Sequence, residues 1–162
     1  DADLAIYVRP ETGNNILIGS EDPPCDPQVW VDDPDDYDTV VSDEQWNAQV
    51  LRLARRMPGL RIPNEKKGIV DLYDVSDDWI PIYDRTDLDG FYVAIGSSGN
   101  QFKNAPVAGH CMAELIEAVE NGHDHDADPL VVTGVHTGLE MDMGFYRRNR
   151  EINPDSSFSV NG

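Results

Sequence analysis

Lysine is scarce in this sequence: Lys66, Lys67 and Lys103 are its only three, beside nine arginines. All the positive side chains together number 12, against 31 Asp and Glu, and the net charge is −19. Such a deficit excludes a nucleic-acid binder, which needs a basic footprint. It equally excludes docking on an anionic membrane surface. Cysteine is nearly missing too. Cys25 and Cys111 stand far apart in the chain, so they form neither a disulfide scaffold nor a zinc knuckle. Both read as buried or inert thiols. No run of about 18 apolar residues exists to span a membrane. Asp1-Ala2-Asp3 is acidic where a signal peptide would be basic, so a cytoplasmic location is expected. There is no G-x-G-x-x-G, hence no dinucleotide fingerprint, and no G-x-S-x-G elbow.

What is present suffices for a folded domain. Hydrophobic residues make up 40% of the 162 positions, enough for a core in a chain of single-domain length. An acidic, lysine-poor surface suits a salt-rich cytoplasm, where ions screen the self-repulsion of −19 charges. A halophilic habitat is therefore expected.

Along the chain, Leu4–Pro10 and Ile16–Gly19 read as the strands of a hairpin around Glu11-Thr12-Gly13-Asn14-Asn15. The strand starts with almost no lead-in, so a longer natural chain is expected. Residues 20–42, rich in Asp and with Pro23, Pro24, Pro27 and Pro34, read as loop. Ser42 is an N-cap candidate, with Gln45 at the capping-box position. A helix follows to Arg56, stopped by Pro58-Gly59. Three strands are expected at 68–75, 79–83 and 91–95, the last an apolar run of the buried kind. Gly96-Ser97-Ser98-Gly99 then leads to a helix from about Ala105 to Asn121, closed by Gly122. His123–Pro129 reads as a solvated linker rather than a metal site, and Leu130–Thr133 as a short strand. The remaining residues give no clear pattern. This is an α+β layout with mainly antiparallel pairing and one strand–loop–helix unit.

The segment Gly96–Pro106 carries the strongest chemical signal. Free amides in a small-residue turn beside a helix N-terminus suit an electron-rich or anionic group. A purely structural turn is the equal alternative. Lys103 supplies a point charge there that could grip a carboxylate; the alternative is a lysine on a helix shoulder. Arg147, Arg148 and Arg150 read as partners of the acidic surface.

Four collinear segments, together covering roughly residues 4–120, carry a resemblance. They are Tyr7-Val8-Arg9-Pro10-Glu11 with Ile16–Gly19; Leu72-Tyr73-Asp74 through Pro81-Ile82; Asp89-Gly90-Phe91 through Gly99; and Phe102-Lys103, Ala105-Pro106 and Gly109–Ile116. As a set they resemble the C-terminal part of the D-amino-acid-oxidase superfamily of flavoproteins. The nearest look is to its sarcosine oxidase, dimethylglycine dehydrogenase and glycine oxidase group.

The resemblance implies a mixed, mainly antiparallel substrate-domain sheet with a helix, and the final strand–glycine loop–helix of a Rossmann-type FAD domain. It divides the chain into a substrate-domain portion (1–90), the returning strand–loop–helix (91–122), and an acidic linker and C-terminal extension (123–162). It places Gly96, Ser98, Gly99, Asn100, Gln101, Phe102 and Lys103 beside FAD. Lys103 and Tyr73 become the catalytic pair, Lys103 at the flavin edge holding a substrate carboxylate and Tyr73 facing the pocket. The implied reaction is oxidation of the C–N bond of a small or N-methylated amino acid to an imine. Asp71 stands where some sarcosine oxidases attach FAD through cysteine, so a non-covalent cofactor is expected. Asn100-Gln101 stand where the family often has His-Gly. The N-terminal FAD-binding half is missing from the sequence, so that half or a partner subunit is an expected partner, and the chain alone is expected to be inactive. The rival reading from another class is a non-catalytic acidic binding or scaffold module that keeps the fold. Within enzymes, the alternative is a proline- or D-amino-acid-type dehydrogenase.

Overall fold

The computed structural model describes residues 1–26 and 28–160. Pro27, expected in a loop, lies outside the described residues. The chain divides into two compact units, Asp1–Leu72 and a second beginning at Tyr73.

In the first unit, β1 (Ile6–Glu11) and β2 (Asn15–Ser20) pair antiparallel, with Ile6 opposite Ser20 and Glu11 opposite Asn15. Gly13 and Asn14 make the reversal with φ of +73° and +60°. These are left-handed conformations that glycine adopts freely and asparagine tolerates best among side-chain-bearing residues. Helix α1 (Asp43–Arg56) begins where its cap dictates, with Ser42 Oγ accepting the Gln45 amide at 3.1 Å. Asp43 and Glu44 at its start and Arg55 and Arg56 at its end complement the helix dipole. Its buried Val50 and Leu53 pack toward the hairpin, where Ile6 is fully enclosed. Arg52 reaches Asp26 with both terminal nitrogens at 2.5 Å, pinning the proline-rich loop to the helix. That guanidinium holds the Asp26 carboxyl below the usual carboxylate range. Cys25 is exposed rather than buried, because it rides on this surface loop.

In the second unit, β3 (Ile82–Arg85) and β4 (Tyr92–Ile95) pair antiparallel, Ile82 with Ile95 and Arg85 with Tyr92. A 3-10 turn (Gln101–Asn104) leads into helix α2 (Ala105–Glu120), with Pro106 in its first turn. Gly122, φ +91°, closes α2: its amide donates to the Val119 carbonyl at 2.9 Å, and the His123 amide to that of Ala118 at 3.0 Å. This is the Schellman pattern that glycine at this position favours. β5 (Val131–Thr133) and β6 (Glu140–Asp142) form a third antiparallel pair, followed by a 3-10 turn at Met143–Tyr146. The core joins Tyr83, Cys111, Val132 and Met143, flanked by Met112, Leu130, Met141 and Tyr146.

Four expectations change. The strands of the described residues form three separate antiparallel pairs, so no mixed sheet forms among the described residues. Gly68–Val75 has strand-like alternation but no ladder, because no partner strand lies along it. The third strand starts at Ile82 instead of Trp79, since Trp79 has a φ of +61° and Pro81 has no N–H to give. The apolar run 91–95 is not buried: Phe91 and Ile95 are about half exposed, with β3 the one strand beside β4.

Residues 123–129, expected as a solvated linker, expose Asp124, Ala127 and Asp128 but enclose one side chain. His125 is fully buried, and its Nδ1 accepts the Leu130 amide at 3.0 Å. Arg148 spreads over Asp84, Asp126 and Asp87 at 2.8–3.0 Å. Arginine–carboxylate pairing was expected at the surface, yet Asp84 is wholly enclosed. No helix among the described residues is long and apolar enough to cross a membrane.

Candidate functional site

The glycine loop leaves β4 and turns sharply. Gly96, Ser98 and Gly99 have φ of +69°, +49° and +76°. Such a turn aims successive amides to one side, which makes a receptor for negative charge. Part of that receptor is filled from within the chain. The Asp74 carboxylate accepts the Gly96 amide at 2.9 Å and the Ser97 hydroxyl at 2.5 Å, and the Ser98 amide donates to the Asp74 carbonyl at 3.1 Å. Burial pushes the Asp74 carboxyl up, but the Ser97 and Gly96 donors outweigh it and leave it below the usual range.

Ser98 is fully buried, and its hydroxyl donates to the Gly96 carbonyl at 3.2 Å. Both of its donors thus serve the turn. Gly99 lies under the ring of Tyr73: a Cβ there would meet Cε1 at 2.7 Å. The structure therefore brings Tyr73 to the loop. Asp71, two residues earlier, accepts the Tyr37 hydroxyl at 3.2 Å.

Beyond Gly99 the carboxamides interlock. Gln101 Nε2 donates to Asn100 Oδ1, and Gln101 Oε1 accepts from Tyr83 Oη at 3.2 Å and from Asn104 Nδ2 at 2.9 Å. Burial raises the phenols of Tyr83 and Tyr146 above their ordinary range, so both remain protonated donors at neutral pH. Asn100, Gln101, Lys103 and Asn104 face a cleft of about 360 Å³. Its other walls are Trp79, Ile80 and Pro81, then Phe145 and Tyr146, then Ser156 and Ser157. A smaller pocket of about 170 Å³ shares Gln101, Asn104 and Tyr146 and ends on Cys111, whose thiol burial pushes up.

Of the cleft's lining residues, Lys103 is the one with a charge, although the chain carries 31 carboxylate side chains. Tyr73 does not line this cleft but stacks on the loop at Gly99. Phe102 is 97% exposed and points away from any packed surface of its unit.

The arrangement defines a class: a strand–glycine turn–helix unit with a lysine on its shoulder, opening on an amide- and aromatic-lined cleft free of carboxylates. That donor set fits a flat heteroaromatic group bearing carbonyls, such as the flavin of FAD. Carboxamides offer it hydrogen bonds, rings offer it apolar faces, and the ammonium offers it a positive neighbour. Residues 1–115 match the family model described as FAD dependent oxidoreductase. The chain belongs to that family, and its cofactor is FAD. No curated protein and no solved structure matches the chain significantly.

Sequence reasoning missed several residues of this site. Asp74 follows Tyr73 in an otherwise alternating apolar stretch, and a carboxylate in that place is the signal that could have marked it. Phe145, Tyr146, Ser156 and Ser157 fall in the segment without pattern, and no local motif flags them.

Proposed function

We propose that this chain is the C-terminal portion of an FAD-dependent oxidoreductase acting on the C–N bond of a small or N-methylated amino acid, such as sarcosine, dimethylglycine or glycine. Residues 1–90 contribute substrate-domain structure, residues 91–122 return to the FAD domain, and residues 123–162 follow as an extension. The FAD-binding half comes from the same longer chain or from a partner subunit.

One observation carries the reading: Lys103 stands as the lone charge in a cleft without carboxylates, on the shoulder of the glycine loop. A substrate carboxylate entering there meets an ammonium with no competing anion on the walls. Charge-assisted pairing fixes that end of the substrate and sets its amine and α-carbon toward the loop. Asn100 and Gln101 line the cleft, and Gly96, Ser98 and Gly99 hold the turn. FAD, when bound, would supply the acceptor for the hydride that leaves the carbon beside the nitrogen, the electron pair left on nitrogen closing the C=N bond. Lys103 would also place a positive charge beside a flavin held at this loop.

The test is Lys103→Ala in a protein that contains the FAD-binding half. Losing a charge-assisted hydrogen bond lowers sarcosine turnover about 10- to 100-fold, while the flavin absorbance stays with the protein. An unchanged rate refutes the role.

A further inference from the structure

One wall of the Lys103 cleft is clamped by residues beyond the family match, which ends at residue 115. Trp79 lines that wall with a φ of +61°. A bulky aromatic residue keeps a left-handed backbone only where its surroundings impose it.

The imposing contacts are on both sides of Trp79. Asp78 is 1% exposed, and its carboxylate receives Arg150 Nη2 at 2.5 Å and Nε at 3.1 Å. The same carboxylate accepts the Ile80 amide at 3.1 Å and the Asn153 amide at 3.3 Å. Arg150 Nη2 also donates to the Ile80 carbonyl at 2.8 Å, and Ser156 Oγ donates to the Asp78 carbonyl. Asp78 and Ile80, the two neighbours of Trp79, are thus tied to one segment, 150–156. That segment carries Ser156 itself into the cleft wall. Burial raises the Asp78 carboxyl, but Arg150 and the two amides overcome this and hold it at about 2. The ion pair is therefore intact at any pH where the protein would work.

We propose that Asp78 and Arg150 are positioning residues of the amine site: they hold Trp79 as an aromatic wall for the N-methyl end of a substrate whose carboxylate Lys103 grips. This rests on the amine-oxidoreductase reading above. A methylated ammonium is attracted to aromatic faces and gains apolar contact there that an unmethylated one lacks. Phe145 and Tyr146, at a T-shaped 5.1 Å, add further aromatic surface to the same cleft.

The test uses the full flavin-loaded protein. One variant is Asp78→Asn combined with Arg150→Met, which removes both charges and strands neither in the interior. The other is Trp79→Leu, with the clamp intact. KM and kcat are measured for sarcosine and for glycine, together with the melting temperature. The anisotropy of Trp79 fluorescence is read in a background where every other tryptophan of the full protein, Trp30 and Trp46 included, is replaced by Phe. One methyl in an apolar contact is worth about tenfold or more. Both variants should accordingly raise KM for sarcosine about tenfold more than they raise KM for glycine. The double variant should also lower the Trp79 anisotropy, and Trp79→Leu should leave the melting temperature in place. Parallel changes for the two substrates overturn the proposal. So does a lower melting temperature with KM and anisotropy unchanged, which would make the clamp merely structural. If the unsubstituted protein oxidises neither amine, the amine-oxidoreductase reading fails, and with it the assigned ligand. The anisotropy then still decides the clamp, which an unchanged value in the double variant overturns. Should the double variant not fold, Arg150→Lys keeps the charge, loses the fork, and must show a partial form of the same KM split.

Discussion

Gly90 and Gly99 have nearly the same backbone, φ +74° and +76°, in opposite surroundings. A Cβ at Gly90 meets nothing within 4 Å, whereas at Gly99 it runs into the Tyr73 ring at 2.7–2.9 Å. Alanine at either position bears the left-handed penalty of about 1–2 kcal/mol, reduced somewhat because alanine also restricts the unfolded chain. Gly99→Ala bears in addition the cost of displacing a ring, about 1–3 kcal/mol for an overpacked contact. The totals are about 1 kcal/mol at Gly90 and about 2–4 kcal/mol at Gly99. Urea unfolding followed by tryptophan fluorescence measures both. A double-mutant cycle isolates the collision: in a Tyr73→Ala background Gly99→Ala should fall to the Gly90 value, a coupling of about 1–3 kcal/mol. Equal costs at the two glycines, or no relief on removing the ring, would refute the placement of Tyr73 on the loop.

Other outcomes follow from the ion pairs and caps. Asp78 has a folded pKa near 2 against an ordinary 3.8, so the folded state binds its proton less readily than the unfolded state. It contributes about 2 kcal/mol, fully present above pH 4 and lost as pH falls toward 2. Acid titration of stability should show that loss, and Asp78→Asn with Arg150→Met should flatten it. Ser42→Ala removes the cap on the Gln45 amide and should cost about 1 kcal/mol in thermal unfolding, with Ser42→Asn sparing most of it. If the surface is built for concentrated salt, screening worth about 2 kcal/mol raises Tm by about 4–8 °C between dilute buffer and molar KCl. A flat Tm across that range removes the salt-adapted reading.

Those elements whose instructions are local were legible in the sequence. Ser42, Gln45 and Pro58 bracket α1, Pro106 and Gly122 bracket α2, and Gly13-Asn14 turns the first hairpin. Each signal acts within a few residues of the backbone it directs. The glycine loop and Lys103 were legible for the same reason, because strand, turn and helix are contiguous there. Gly68–Val75 shows the opposite case: alternation states that a stretch can be a strand, but a ladder needs a partner the stretch does not name. The run 91–95 has apolar side chains enough for burial on both faces, yet burial depends on what packs there. His125 and Asp84 are enclosed by residues that no period connects to them, and Asp78 meets Arg150 across 72 positions of chain. A run of Asp and Arg in an acidic protein looks the same whether it faces water or the interior. Only the tertiary contacts distinguish the two.

Asp74 has a consequence for how ready the glycine loop is to receive anything. A loop that would otherwise wait for an outside anion is already closed around a carboxylate of its own chain. Its shape is set by residue 74 of the same chain. On the proposed reading, a ligand that meets this turn would find its backbone already ordered. The free energy of association would then go into contact instead of into ordering a slack segment. Binding there would be docking on a finished surface.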